Sequence, residues 1–283
     1  MVSNSSMPYD SNLTNNKPLE IYLFIDPFCL DCWSLAPIIS KLQMEYGDYF
    51  TLKYVLCGKL DVLNKKISNI SEDQYNSNCH SREIDHSSDK CVFLPHLAAI
   101  SIKAAELQGK RAGIRFIRRL QELLFVENKD ITDINVLQHC AQNIGLDLDE
   151  FIRDIYSPSA AKAFQCDVRI SAEMEVNEMP AMVFFNENIE DEGLKITGLY
   201  SYDIYVQVLT ELLECKPKPA EKPPLELFLS INPIIAVQDL AMIYDQPVHK
   251  IERQMKQLQL QRKAQKLQAK NGPVWKYTSK CLY

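Results

Sequence analysis

The residues best suited to chemistry are Cys29 and Cys32, in the run Cys29-Leu30-Asp31-Cys32. Two sulfurs at this spacing can close a small reversible disulfide. If the pair opens a helix, the unpaired N–H groups there stabilise a thiolate. The chemistry implied is thiol–disulfide exchange. Asp31 opposes it, because an acid between the cysteines disfavours a charged sulfur. A second group, Cys79, His80, His86, Cys91 and His96, carries zinc-ligand chemistry, but its spacing fits no zinc motif. The expectation is therefore no metal and no other cofactor. With eight glycines there is no Gly-rich phosphate loop, and no nucleophile elbow is present.

The elements that must position the pair are legible on both sides of it. Leu19 to Ile25 is a nearly continuous apolar run, as in a buried strand. Trp33 to Tyr46 has helical spacing, with Leu35, Ile38, Ile39 and Leu42 on one face, and Thr51 to Cys57 is a second strand. A β–α–β opening of this kind favours parallel pairing. Asp61 to Lys90 is polar and irregular. Helical stripes follow at Leu97, Ile100, Ala104 and Leu107, then at Ile114, Ile117, Leu120 and Leu124. Further stripes are Leu137, Cys140 and Ile144, and Ala160, Phe164, Val168 and Ala172, while Asp147 with Glu150 reads as a capping pair. Strands return at Ala181 to Phe185 and Leu194 to Thr197, and a helix at Tyr202 to Leu213 closes the unit.

Residues 215–224 hold four prolines in ten and read as an extended, solvated spacer. Beyond it, Leu225 to Leu229, Val237 to Tyr244 and Val248 to Leu260 are predicted helices, and Asn271-Gly272 marks a hairpin between Ala264 and Lys276. Three helices and a hairpin describe a winged helix. The charge is uneven. Residues 250–280 hold nine Lys or Arg against one acid, so they carry +8 and leave −14 for the rest of a chain whose net charge is −6.

Pro37 lies five residues after Cys32, where thioredoxins carry a helix proline, and Met179-Pro180 precedes a strand, where a thioredoxin fold places a cis-proline facing the cysteines. The expected architecture is α/β: a thioredoxin-like, DsbA-like unit over residues 19–214, with a helical insertion at about 95–177. A Pro-rich linker over 215–224 and a small winged-helix-like unit over 225–283 follow, and residues 1–18 are expected to be disordered. That first segment has neither a basic nor an apolar leader region, and no run is apolar enough to span a bilayer. A cytosolic location is expected, with no membrane partner. The cysteines, odd in number, should be mostly reduced there, with Cys57, Cys140 and Cys166 acting as small buried hydrophobes.

Several runs carry a resemblance: Pro18 to Tyr22, Asp26-Pro27, Cys29 and Cys32 with Trp33, Lys103 to Gly109, and Asp191 to Lys195. Tyr200 to Asp203, Pro223 to Glu226 and Trp275-Lys276 continue it. In this order they resemble the SpxH (YjbH) family of Firmicutes, over about Leu19 to Tyr277. The resemblance implies an adapter that binds the transcription regulator Spx and promotes its degradation by the ClpXP protease. Some members lack the cysteine pair, so adapter work in the family does not depend on it. Some carry a histidine-rich N-terminus, whereas the first histidine here is His80. Two other expectations compete. One is a cytosolic thiol–disulfide oxidoreductase using Cys29 and Cys32, and the other is a DNA-binding regulator reading duplex through Lys250, Arg253 and Lys256. The acidic balance and a solvated basic face argue against nucleic acid. The two units are expected to fold separately and act together.

Overall fold

The computed structural model describes residues 17–57, 94–186, 188, 192–269 and 272–278. Of residues 1–18, expected to be disordered, residues 1–16 lie outside the described residues, while Lys17 is placed, its ammonium donating to the Gly47 carbonyl at 2.6 Å. The excursion from Asp61 to Lys90 and the candidate ligands Cys79, His80, His86 and Cys91 also lie outside the described residues. His96 falls in a helix, but its side chain is outside them.

Strand β1 (Leu19–Ile25), helix α1 (Leu30–Tyr46) and strand β2 (Phe50–Leu56) open the fold, and β1 and β2 pair in parallel from Leu19↔Phe50 to Ile25↔Leu56. Strands β3 (Ala181–Phe185) and β4 (Leu194–Thr197) add antiparallel to β1, giving a sheet of order β2-β1-β3-β4. The pleat sorts side chains to two faces. Leu19, Ile21, Leu23 and Ile25 join Met182 and Phe184 in the main core, while Phe24, Ala181 and Val183 form a smaller cluster on the other side. Burial on both faces explains why the strand reads as a continuous apolar run.

Among the described residues, five helices stand between β2 and β3: α2 (Leu94–Leu107), α3 (Lys110–Phe125), α4 (Ile134–Asn143), α5 (Leu148–Ile155) and α6 (Pro158–Glu173). Asp147 does cap α5, its carboxylate accepting the Glu150 N–H at 2.9 Å. Gly109, at φ 128, makes the sharp turn between α2 and α3. Two expected stripes are out of place. On α2, Leu107 is exposed while Ala98, Ile102 and Ala105 are fully buried, because an alanine-rich helix packed on several sides has no single face. On α6 the buried positions are Ala160, Phe164, Asp167 and Ser171 rather than Val168 and Ala172. The register follows a polar tie that apolar periodicity cannot reveal. Lys103, itself buried, pairs with Asp167 at 2.6 Å and Glu106 at 2.8 Å, and Asp167 Oδ2 accepts the Leu56 N–H at 2.8 Å. The helical block is thereby fastened to the end of β2.

Helix α7 (Tyr202–Leu212) returns to the sheet, with Tyr205, Val208 and Leu209 in the main core. The C-terminal residues form α8 (Leu225–Ile231), β5 (Ile234–Ala236), α9 (Val237–Tyr244), α10 (Val248–Leu260), β6 (Ala264–Ala269) and β7 (Gly272–Tyr277). Strand β5 is unanticipated, being only three residues long. It completes an antiparallel sheet of order β5-β7-β6 behind a second core built around Trp275, Leu240, Ile251 and Met255. Met44 of α1 belongs to that second core, so the two cores meet on one helix.

Candidate functional site

The two ends of α1 carry the two clusters of interest. At its N-terminus Cys29 is the cap: its sulfur accepts the Cys32 N–H at 3.4 Å, and its own N–H donates to the Asp26 carbonyl at 3.1 Å. Asp26 Oδ1 accepts the Phe28 N–H at 2.8 Å, which holds the loop in its turn. Across from it the Met179–Pro180 bond is cis, and the Cys29 thiol points at the Met179 carbonyl at 3.9 Å. The Gly198 N–H donates to the Pro180 carbonyl at 2.7 Å, bringing the loop of Leu199 and Tyr200 alongside. Phe28, Leu30, Leu199 and Tyr200 are all exposed, an apolar rim around a half-buried thiol.

The two cysteines differ. Cys32 is buried, and burial pushes its thiol up, with the neighbouring Cys29 and Asp26 charges adding to that effect. Cys29 is the sulfur that can meet a partner, and it sits at the N-terminus of α1. The acid that acts on Cys32 is Asp26, from the preceding loop, rather than the anticipated Asp31. Of the other cysteines, Cys57 and Cys140 are buried as expected, but Cys166 is exposed because α6 turns that side to solvent.

At the other end of α1 a polar cluster joins four segments. Lys41 is buried, and its ammonium donates to the Met242 carbonyl at 2.9 Å, pairs with Asp245 at 2.6 Å and lies 4.2 Å from the centre of the Tyr202 ring. Lys222 of the proline segment bridges Asp245 and Glu45, the latter at 2.9 Å, and the Tyr202 hydroxyl donates to Glu45. Burial and the Glu45 carboxylate together push the Tyr202 hydroxyl well up. Burial alone would raise the Asp245 carboxyl, but hydrogen bonds from Lys222 and Lys41 outweigh it and hold the group below the usual carboxylate range. The proline segment carries neither helix nor strand, and it is not a free spacer. Its Ala220 N–H donates to the Glu45 carbonyl at 2.8 Å, and its Lys218 N–H to the Tyr49 hydroxyl at 3.0 Å. A second bridge runs from Arg118 on α3 to Ser40 on α1, at 3.4 Å, and to Asn232 after α8. No sequence pattern announces these pairs, whose members lie up to 204 residues apart. Lys41 and Glu45, one turn apart on a largely apolar helix, were the available hint.

Among the described residues no group of three or more His, Cys, Asp or Glu could hold a metal ion, and no helix is long and apolar enough to cross a membrane. The thioredoxin family matches residues 22–207. The ClpXP adapter protein SpxH of Bacillus subtilis (strain 168) is 45% identical over 270 residues, covering 93% of this chain and 90% of that protein. The chain belongs to the SpxH family. A second SpxH, from Shouchella clausii, is 43% identical over 271 residues, covering 94% and 90%. The SpxH-family chain has a thioredoxin-like, DsbA-like fold. A putative protein disulfide isomerase from Nitrosomonas europaea superposes with a TM-score of 0.50 at 18% identity, covering 69% of this chain and 96% of that one. Wolbachia pipientis alpha-DsbA1 does so with a TM-score of 0.50 at 11% identity, covering 70% and 87%.

Proposed function

We propose that this SpxH-family protein is a cytosolic, non-catalytic adapter that binds Spx and promotes its degradation by ClpXP. The observation that carries the reading is the span of the likeness. At 45% identity it covers 93% of the chain, which is more than the thioredoxin match over 22–207 can hold, so it runs into the C-terminal core as well. The cluster around Lys41 supports a composite body, with residues 19–214 and 225–283 as its two units and 215–224 fastened between them. We read the second unit as winged-helix-like. The order helix, strand, helix, helix, hairpin supports that reading, as does the sheet order β5-β7-β6. The test is a reconstituted degradation assay with Spx, ClpXP and this protein. Spx should disappear faster while the adapter is not consumed, and an unchanged Spx half-life at saturating adapter would overturn the reading.

One observation favours a second reading. Cys29 caps α1 with its thiol facing the Met179 carbonyl, an arrangement competent for thiol–disulfide exchange. That reading requires turnover of a disulfide substrate by the intact protein and its loss on Cys29→Ala.

A further inference from the structure

Helix α10 buries Ile251, Met255 and Leu258 in the second core. Its other side carries Lys250, Arg253, Gln257 and Leu260, all exposed and spaced three or four residues apart, with the exposed Lys256 beside them, so they form one continuous stripe. Lys256 has a partner one turn away, Glu252 at 3.5 Å, and Lys263 just beyond the helix is taken by Glu226 at 2.8 Å. Lys250 and Arg253 have no ion-pair partner among the described residues. Leu260 ends the stripe at 85% exposure, the highest among the large apolar side chains of the described residues. A lone exposed leucine is ordinary. Here it closes a stripe on which Lys250 and Arg253 have no ion-pair partner among the described residues, and the combination discriminates between partners. A phosphate backbone gains from the charges and nothing from the leucine. A protein segment bearing carboxylates and an apolar side chain gains from both, the charges guiding encounter and the covered leucine slowing departure.

We propose that the exposed side of α10 is a docking face for an acidic amphipathic protein segment, whose carboxylates pair with Lys250 and Arg253 and whose apolar side chain covers Leu260. From Lys250 to Leu260 the stripe runs about 15 Å at the helical rise, so a helical segment of about ten residues spans it.

The test uses the full chain and fluorescence anisotropy at about 0.15 M salt. The probes are a short helical peptide of Glu, Ala and Leu with its leucines on one side, a copy with Ser for each Leu, and a short random-sequence DNA duplex. Replacing Lys250→Glu together with Arg253→Glu should weaken the leucine peptide by about tenfold or more. Leu260→Ser should weaken it by about fivefold and leave the serine copy unchanged. Lys216→Glu with Lys218→Glu, the same charge change on the proline segment, should stay within about twofold. All these positions are exposed, and circular dichroism checks that each variant is folded. Absence of peptide binding, tighter binding of the duplex, equal loss in the Lys216/Lys218 control, or indifference to Leu260 would each overturn the proposal. Neither Spx nor ClpXP enters the measurement, so adapter activity and peptide capture fail or succeed separately.

Discussion

Replacing Lys41 with Met isolates the tie between the two cores. Methionine keeps the length and apolar stem of the side chain, so the packing of this part of α1 survives and only the ammonium is lost. Three interactions go with it. The charged hydrogen bond to the Met242 carbonyl, at 2.9 Å, is of a kind that contributes about 1.5–3 kcal/mol. The pair with Asp245 is worth less, about 0.5 kcal/mol, because that carboxylate is 63% exposed and water screens it. The Tyr202 ring adds about 0.5–1 kcal/mol. Against these stands the relief of no longer burying an ammonium, which cancels a good part of the gain. Neither acceptor is stranded, since Lys222 still reaches Asp245 and the Asp245 N–H still meets the Met242 carbonyl at 3.4 Å. The large penalty for an orphaned buried charge therefore does not arise, and the net loss is about 1–2 kcal/mol, or roughly 5- to 30-fold in the equilibrium that holds the cores together. Hydrogen exchange should show it as faster exchange in α9 and in the N–H of Ala220, with β1 and β3 unchanged. Lys53→Met, at a surface pair with Glu20 on the sheet, is the control and should leave α9 as it was. Equal loosening of both cores, or no change in α9, would refute the reasoning.

Asp239 should impose a pH dependence on the C-terminal core. Burial raises its carboxyl from 3.8 to about 6 although it accepts the Ala236 N–H, so the folded state holds a proton that the unfolded chain releases. Stability should then fall as pH rises from about 4 to about 6, by about 1–3 kcal/mol, and Asp239→Asn, which keeps the acceptor, should flatten that slope in denaturant melts. The double variant Cys29→Ala, Cys32→Ala should accelerate Spx degradation within about twofold of the intact protein, at a stability cost of about 1 kcal/mol for the buried sulfur. A folded double variant that no longer promotes Spx loss would give the cysteines a role in the adapter.

What the sequence by itself determined is local. Leu19 to Ile25, the cysteine pair at a helix start, Asp147 as a cap and the helices Val237–Tyr244 and Val248–Leu260 are all specified within a few residues, by apolar period, capping chemistry and turn composition. Cys29 could be placed at the mouth of a thiol site because the strand before it and the helix after it are both strongly patterned. What only the tertiary structure decided is pairwise and distant. The inward register of α6 depends on Asp167 finding Lys103 and the Leu56 N–H. Strand β5 exists because β7 offers it a ladder, since three residues carry too little pattern of their own. The proline segment looks like a free tether, but Lys222 and Ala220 fasten it to Glu45, whose acceptors come within reach only once α1, α7 and α9 have packed. A buried charge takes its meaning from its partner, and partners far apart in the chain leave no periodic trace.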